Sequence, residues 1–507
     1  GNKGVTVPLA IPVDNIAIVG GGPVGSLTAA RPRITWSADD SALFDLNGKG
    51  GLEFKGLDFI WGGTAAAAAT PAEPTASVFD ASSGSLYGLS VEDCVLTGGS
   101  AFATLRNLTV GGRIRFRDCQ GTALTGAGII VEGAGGVDIE DVLVERCRFL
   151  ASGTDNNTNN LHGVKIKFAE SAVVRDCILE GFADASIFLE DLQQHGVVSG
   201  ATVLDALGHG IQVDDALATA SVHISDCLIH IDRTTPDAAV MGVKTDPTGV
   251  VVVSNVVVRD ARFVGISLNG AGSRAVGCVV QASADMGFQA IGDNIHFTGC
   301  TVVVADGTGF YLASADTSVK DCDVGVCGGS GIDLAGANGS MVVGCRVADE
   351  IQVTSGDNIS VYNNICTTVD INGGIGHRVQ GNTMTGDITV GGAGGAHSIS
   401  DNHCANVLYT GGNSSFIRNN ETSGIVINTG DKNTLMGNTT LGGLISISTD
   451  GNLIVHNCLV YDGAGPSATA TVDLSGATND NVVQFNIVDT AVTDAGTNPD
   501  IGNNIVV

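Results

Sequence analysis

A four-residue motif recurs along the chain and indicates its fold. The motif consists of an apolar residue, two mostly polar residues, and then Cys or Asn. Three consecutive copies are Phe297–Cys300 (FTGC), Val319–Cys322 (VKDC) and Val342–Cys345 (VVGC). Earlier copies also end in Cys, and from Asn364 onward the fourth residue is Asn. The copies lie 22 or 23 residues apart around Cys300 and 18 to 20 apart in the Asn series up to residue 457. A fixed motif at variable spacing indicates one structural coil per copy, with insertions at the turns.

A second motif precedes many of these copies and reads Gly, apolar, variable, apolar. Examples are Gly163–Ile166 (GVKI), Gly210–Val213 (GIQV) and Gly265–Leu268 (GISL). Short alternating segments of this kind are typical of strands, and only Ala65–Ala69 is helix-like. The pattern predicts an all-β protein, a right-handed single-stranded parallel β-helix of about 18 or more coils. A β-propeller would need repeats of about 40–45 residues.

The motif spacing also predicts how the chain is organised. Residues 1–75 are expected to form an N-terminal lead-in and the first coils. Residues 76–350 are expected to form the main β-helix, with larger coils and inserted loops. Residues 351–507 are expected to continue the same β-helix as narrower coils that carry the Asn column.

Composition excludes several classes of protein. The 507 residues carry a net charge of −29, so the surface repels nucleic acid, and we expect no nucleic-acid partner. Apolar stretches such as Val250–Val253 stop after a few residues, well short of the 18 or more that span a bilayer, so no membrane insertion is expected. A hydrophobic content of 43% excludes a disordered acidic chain, because it supports a large core.

The Cys and Asn residues of the first motif are predicted to be structural. Equivalent positions stack in a β-helix, about 4.8 Å apart, which places nine cysteines in one column. Parallel-stacked Cβ vectors fit a disulfide poorly, and a linear column does not converge on a zinc ion. We therefore expect small residues packed inward at a turn, and Asn amides that bond to one another and to the turn backbone. The nine column members are Cys94, Cys119, Cys147, Cys177, Cys227, Cys278, Cys300, Cys322 and Cys345.

The candidate site follows from the outward positions of the second motif. Three carboxylates, Glu190, Asp214 and Asp246, are predicted to fall on successive coils of one face. Adjacent members would lie about 5 Å apart and the outer pair about 10 Å apart, so the face can match the carboxyl spacing of either a retaining or an inverting glycoside hydrolase. Like charges this close are expected to raise one pKa and so create an acid–base pair. The predicted substrate-binding residues are Lys165, Lys167, Phe188, His209, Gln212, Lys244 and Tyr311.

Two polar insertions at the same level, Ser152–Asn160 and Asp232–Ala239, are expected to wall a groove. The alternative is a solvated face whose carboxylates are in register by chance. Histidines such as His162 and His209 are expected at the surface or in turns. No cofactor or metal is predicted, and calcium at Asp214-Asp215 is the alternative.

The coil pattern resembles the pectate-lyase-like right-handed parallel β-helix superfamily. The opening segments Leu9–Val13, Asn15–Gly20, Arg33–Trp36, Ala42–Leu46 and Gly51–Leu57 are similar to the first coils of bacteriophage tailspikes and receptor-binding proteins. The resemblance implies a tailspike-like protein that binds host surface polysaccharide. If the protein also cleaves the polysaccharide, the expected mechanism is that of a glycoside hydrolase. A non-catalytic receptor-binding or structural rod, and a polysaccharide lyase, are the alternatives. For the lyase, Lys165, Lys244 or His209 would be the base.

The resemblance also implies partners and a location. The expected partners are polysaccharide or lipopolysaccharide, further copies of the chain in a homotrimer, and phage tail or baseplate proteins. The expected location is a virion tail or the extracellular space.

Overall fold

The computed structural model describes most of the chain. The described residues are 3–5, 9–11, 14–20, 31–36, 42–62, 77–135, 139–152, 162–214, 217, 219–231, 240–246, 249–392, 394–460, 471–474, 480–484, 486–488, 493–494 and 500–506. They form strands, turns and bends, and none of them is helical. The chain is divided into two compact units, residues 1–284 and residues 285–507. The predicted boundaries after residues 75 and 350 concern coil width, which this division does not test.

Residues 1–284 form a stack of coils in which each coil adds a parallel strand to each of three sheets. Sheet A1 contains Leu9–Ala10, Phe44–Asp45, Ser77–Ala81, the start of Ala101–Arg117, Ile129–Gly133, Val164–Lys167, Ala185–Glu190, His209–Asp214, Val243–Asp246 and Val264–Leu268. Sheet B1 contains Ala17–Val19, Leu52–Lys55, Leu89–Glu92, the end of Ala101–Arg117, Ile139–Glu145, Ala169–Arg175, His195–Ser199, Ser221–Ser225, Val250–Ser254 and Arg274–Val276, with the short strand Gly84–Leu86 beside Ala101–Arg117. Sheet C1 contains Lys3–Val5, Arg33–Trp36, Asp58–Trp61, Val95–Thr97, Gln120–Leu124, Arg148–Ala151, Ile178–Glu180, Thr202–Ala206, Leu228–Ile231, Val257–Arg259 and Val279–Val280.

Residues 285–507 follow the same plan with shorter coils, and three long strands near the C-terminus serve two sheets each. Sheet A2 contains Met286–Ala290, Phe310–Leu312, Ile332–Ala335, Ile351–Ser355, Val369–Ile371, Ile388–Val390, the ends of His403–Tyr409, Glu421–Ile427 and Thr439–Ile447, then Thr471–Leu474 and Thr493–Asp494. Sheet B2 contains His296–Thr298, Ser318–Lys320, Met341–Val343, Ser360–Tyr362, Arg378–Gln380, Ser398–Ser400, Phe416–Arg418, Thr434–Met436, Leu453–Val455, Val482–Gln484 and Asp500–Gly502. Sheet C2 contains Thr301–Ala305, Asp323–Cys327, Arg346–Val347, Ile365–Cys366, Thr383–Met384, the starts of the three long strands, Cys458–Val460, Ile487–Val488 and Ile505–Val506.

Each coil buries its alternate apolar residues between the three sheets. In Val164–Lys167 the apolar residues are buried and the two lysines point outward, as period-2 alternation requires. Aromatic side chains stack along the core in the same way, and the rings of Phe288 and Phe310 lie parallel with their centroids 4.7 Å apart. These parallel, in-register coils confirm the β-helix that the two motifs predict.

The cysteine column is a set of buried thiols at one turn of the coil. All nine are buried thiols rather than disulfides, and each Sγ lies 3.1–3.5 Å from the carbonyl oxygen two residues before it. Burial raises the pKa of the Cys94 and Cys227 thiols to about 11, so they stay protonated and donate to those carbonyls. The residue before each column position is in the left-handed region, for example Asp93 at φ 53° and Asp226 at φ 54°. This conformation explains why the third residue of the motif is so often Asp, Asn or Gly.

The Asn column forms a continuous hydrogen-bond ladder in residues 285–507. From Asn382 onward, each Oδ1 accepts the backbone N–H and the Nδ2–H of the Asn one coil earlier, at 2.9–3.1 Å, in the order Asn364, Asn382, Asn402, Asn420, Asn438, Asn457, Asn486 and Asn504. The Nδ2 groups also donate to carbonyls of the preceding coil, such as Ile399 O from Asn420 at 3.0 Å. The predicted amide stacking is confirmed, and it supplies partners for backbone groups buried at the turn.

Replacing one rung should cost several hydrogen bonds at once. In an Asn420→Ala variant, the backbone N–H and Nδ2–H of Asn402 and the carbonyl of Ile399 lose a buried partner. We expect a loss of at least about 2 kcal/mol of unfolding free energy, measured by denaturant unfolding. Asn428→Ala is the matched control, because Asn428 is exposed, and it should change stability by less than about 0.5 kcal/mol. Equal effects of the two substitutions would contradict the structural role of the ladder.

A second buried column contains two histidines in place of Asn. His377 and His397 are 1% and 2% exposed, and their rings stack with centroids 5.0 Å apart. Nδ1 of His377 accepts the N–H of Ile359, and Nδ1 of His397 accepts the N–H of His377. In later coils Ser415, Asn433 and Asn452 accept the same kind of backbone bond. The two rings are therefore held as neutral imidazoles, since a proton on Nδ1 would face an N–H donor.

This arrangement should make residues 285–507 sensitive to acid. Burial lowers the pKa of His397 to about 4 and also lowers that of His377. The unfolded chain therefore binds these protons below about pH 6.5 while the folded chain does not, so stability falls as the pH drops from 6.5 toward 4. For His397 alone, the loss approaches about 3 kcal/mol. A His397→Asn variant keeps an acceptor at this position and should show a shallower decline in unfolding midpoint between pH 6.5 and pH 4.5. An unchanged slope would contradict the prediction.

Candidate functional site

The structure places the predicted outward columns on neighbouring strands of sheet A1. Lys167, Glu190, Asp214 and Asp246 are direct register partners on four successive strands. A second row pairs Lys165, Phe188, Gln212, Lys244 and Ser267 in the same way. Eight of the ten predicted site residues therefore lie on one face of residues 1–284, with neighbouring strands about 4.8 Å apart.

One end of this face is a partly buried network of alternating charges. Lys165 Nζ lies 2.8 Å from Glu132 Oε1 and 3.6 Å from Glu190 Oε2, and its side chain is only 12% exposed. Arg106, also largely buried, lies 3.4 Å from the other oxygen of Glu132. Charges with this little solvent access need partners of opposite sign, which each of these three side chains has.

Glu190 is held from two sides by ammonium groups. Lys167 Nζ lies 2.5 Å from Glu190 Oε1 and 3.4 Å from Asp191. Burial lowers the pKa of Lys167, but the hydrogen bond and charge of Glu190 outweigh it, and the net shift is upward. Lys167 is therefore a fixed cation, and the closest described charges around Glu190 are lysines.

Phe188 packs against polar neighbours on this face. Its ring centroid lies 5.3 Å from Lys165 Nζ, a cation–π distance, and 5.1 Å from the ring of His162. His162 is 1% exposed, so its predicted surface position is wrong. Burial lowers the pKa of His162 to about 4, although the Asp184 carboxylate at 3.4 Å acts in the opposite direction. The phenyl ring thus belongs to a packed polar layer.

The other end of the face is more open. Gln212, 8% exposed, donates from Nε2 to Asp214 Oδ2 at 2.5 Å. Asp246 is exposed and accepts a hydrogen bond from Asn269 Nδ2. Thr245 behind it is buried, and its hydroxyl donates to Ser267 O at 3.1 Å and accepts the N–H of Asn269 at 3.2 Å. Lys244 lies half-buried between Gln212 and Ser267. An amide, an ammonium group and two carboxylates therefore lie on two adjacent coils.

Two other predicted residues have different surroundings. His209 is half-buried, and its Nδ1 accepts the N–H of Met241 at 3.0 Å, so this nitrogen links two coils. Tyr311 belongs to residues 285–507, where its register partners are Gln289 and Asp333. The loop segments 153–160 and 232–239, and Asp215, lie outside the described residues. Within the described parts of the chain, no group of three or more His, Cys, Asp or Glu is arranged to hold a metal ion.

The sequence pattern overlooked part of the charge network. Gly128–Val131 (GIIV) fits the second motif with Ile as its variable residue, and the outward residue that follows it is Glu132. Extending the motif by this coil would have added Glu132 to the face. Arg106 and Asn269 lie beyond the ends of the predicted set, and only the folded neighbours show that they join it.

The comparisons with known proteins agree with this geometry. A family model described as the right handed beta helix region matches residues 79–273. The matched range contains every predicted site residue except Tyr311. No curated protein matches the chain. The match and the parallel stack define the fold class, a right-handed parallel β-helix. The described residues include no helix long and apolar enough to cross a membrane.

The charge network predicts different costs for removing two lysines on the same row. Lys165→Met leaves Glu132 and Glu190 without their shared cation in a poorly hydrated position. We expect a loss of about 1–3 kcal/mol of unfolding free energy. Lys244→Met is the matched control, since no ion pair links Lys244 to any described carboxylate, and it should cost less than about 0.5 kcal/mol. Denaturant unfolding of both variants checks this, and a larger loss in Lys244→Met would refute it.

Proposed function

We propose that this β-helix binds a host surface polysaccharide along sheet A1 and cleaves it as a glycoside hydrolase. The observation that carries the proposal is the direct register of Glu190, Asp214 and Asp246 on successive coils, beside Lys244 and Gln212. Paired carboxylates at such spacing are the machinery of glycoside hydrolysis. An amide and an ammonium group beside them can bind sugar hydroxyls or a carboxylate.

The environments of the three carboxylates suggest different roles. Asp246 is exposed to an approaching substrate, so it is the proposed nucleophile. Asp214, held by Gln212, is the proposed acid. Glu190, the alternative acid, already contacts Lys165 and Lys167, and we assign it mainly to positioning the charge network. Adjacent coils give Asp214 and Asp246 the close spacing of a retaining enzyme. In this scheme Asp214 gives its proton to the glycosidic oxygen while Asp246 attacks the anomeric carbon, and Asp214 then removes a proton from the water that displaces Asp246.

A binding-only role is the second candidate function, and the ion pairs of Glu190 favour it. The ion pairs of Glu190 leave two carboxylates on the open end of the face, and both accept hydrogen bonds from neighbouring amides. Such a face can hold a polysaccharide without cleaving it. A lyase has less support, because two of its three candidate bases are engaged: Lys165 is paired with two carboxylates and His209 accepts a backbone bond, which leaves Lys244 as the candidate. Attachment to a phage tail, assembly as a homotrimer and an extracellular location complete the tailspike-like proposal.

Product analysis on purified bacterial surface polysaccharide distinguishes the three activities. Hydrolysis releases oligosaccharides with new reducing ends, a lyase produces an unsaturated, ultraviolet-absorbing end, and a receptor-binding rod retains the polymer without releasing product. We expect reducing ends, with Asp214→Asn and Asp246→Asn each lowering the rate by at least about 100-fold.

Two variants control this test. Asp226→Asn changes an exposed carboxylate at a turn of the same unit and should retain full activity. Glu190→Gln should lower both activity and stability, because it removes a charge that two lysines share. Full activity in both Asp214→Asn and Asp246→Asn would rule out the proposed acid and nucleophile. Binding of the polymer without product in the unaltered chain would favour the binding-only role.

A further inference from the structure

Residues 285–507 carry a second polar row, on sheet A2, that the proposed function does not use. Direct register partners place Gln289, Tyr311, Asp333, Gln352 and Asp370 one above another on five successive strands. All five side chains point outward and are half-buried. At about 4.8 Å per coil the row spans roughly 19 Å, with one hydrogen-bonding side chain per coil.

An apolar row runs beside the polar one. The next outward positions on the first three strands are Ile291, which is 46% exposed, and the half-buried Ala313 and Ala335. The surface therefore combines a line of polar groups with small and apolar side chains and one tyrosine ring. Sugars have the matching character, because their hydroxyl edges form hydrogen bonds while their C–H faces pack on apolar or aromatic surfaces.

Three polar groups of the row, Asp333, Gln352 and Asp370, are held by hydrogen bonds to neighbouring side chains. Asp333 Oδ1 accepts a hydrogen bond from Thr354 Oγ1 at 2.7 Å. The hydroxyl oxygen of Ser330, which is 7% exposed, lies 2.8 Å from both Gln352 Oε1 and Glu350 Oε1, and its single hydrogen is donated to one of them. Asp370 Oδ2 accepts from Asn372 Nδ2 at 3.0 Å. These contacts hold the polar ends in place, which lowers the entropy cost of binding a ligand.

Asp333 has the surroundings of a functional carboxyl group. Burial raises its pKa, and the nearby charge of Glu350 adds to this, while the hydrogen bond from Thr354 acts against it. A carboxyl group whose pKa is perturbed by burial and a nearby charge is a candidate for a functional site, and Asp333 is also the register partner of Tyr311.

The charge of the row indicates which ligand it would accept. Only five Lys or Arg occur between residues 285 and 507, namely Lys320, Arg346, Arg378, Arg418 and Lys432, and none is in either row. Two carboxylates without a cation in the row would repel a uronate or sulfated chain. They accept hydrogen bonds from the hydroxyl groups of an uncharged sugar, and the amides can both donate and accept.

We propose that Gln289, Tyr311, Asp333, Gln352 and Asp370 form a second carbohydrate-binding site, which takes a neutral oligosaccharide. Tyr311 packs on a sugar ring, and Asp333 and Asp370 accept hydrogen bonds from hydroxyls two coils apart. The site does not depend on the carboxylates of sheet A1, so its success or failure is separate from that of the proposed hydrolase.

Titration calorimetry of the full chain with cellohexaose, maltohexaose and mannohexaose tests the site, and hexagalacturonate serves as the charged probe. We expect at least one neutral probe to bind, and we expect hexagalacturonate, which can bind only along sheet A1, to keep the same affinity in Tyr311→Ala. Tyr311→Ala and the nearly isosteric Asp333→Asn should each weaken the neutral probe by about tenfold or more.

Three matched variants separate this site from general effects. Tyr311→Phe keeps the ring and should bind within about threefold of the unaltered chain. Asp323→Asn, an exposed change in sheet C2, and Asp214→Asn, in the proposed hydrolase site, should leave the affinity unchanged. Binding of none of the neutral probes, equal affinity in Asp333→Asn, or an equal loss in Asp214→Asn would overturn the proposal. Melting curves of each variant show whether a loss of binding comes from unfolding.

Discussion

The parallel hydrogen bonds between coils determine which residues of the β-helix become neighbours, and the side-chain columns follow from them. Because each coil must pair with the next in register, equivalent residues are brought to about 4.8 Å from one another whether or not their side chains suit each other. A residue type that tolerates its own neighbour is therefore required at every inward turn position. Cys satisfies this requirement with a small side chain that bonds to a carbonyl of its own turn, as in Cys227. Asn satisfies it by bonding to the next Asn, as Asn402 does with Asn420.

The same constraint acts on the outward face, where like charges would otherwise be stacked. From Arg106 to Glu190 the face avoids stacking like charges because positive and negative side chains alternate. The partly buried Lys165 bridges two carboxylates. The alternation ends at Asp214 and Asp246, which are followed by the neutral Asn269. A stacked pair of carboxylates adds repulsion to the fold, so a function is the simplest physical reason to keep one. The end of the alternation therefore marks the part of the face most suited to chemistry.

The sequence was sufficient for the fold and the columns, because both follow from spacing. Once the Gly-apolar-variable-apolar strands were aligned, Glu190, Asp214 and Asp246 had to be neighbours. The partners of each side chain were harder to predict, because they depend on distances of a few ångströms that spacing does not determine. Pairing Lys167 with Glu190 requires knowing which way each side chain leans, and the burial of His162 depends on the packing of Phe188 beside it. The left-handed residue before each Cys or Asn was visible as Asp, Asn or Gly, but it indicates a turn geometry that the apolar pattern alone does not show.

The net charge of −29 gains a structural meaning from these rows. On the outward face of residues 1–284, cations form ion pairs with carboxylates and neutralise them. Lys244 lies beside Asp214 and Asp246 and has no described ion pair. The outward row of residues 285–507 has no cation, and its carboxylates are held by hydroxyl and amide donors such as Thr354 and Asn372. A carboxylate satisfied by neutral donors keeps its full negative field, whereas one paired with an ammonium group does not. The two faces should therefore differ in the charge of the ligand they accept: a substrate with an anionic group suits only the first, and an uncharged sugar chain suits the second.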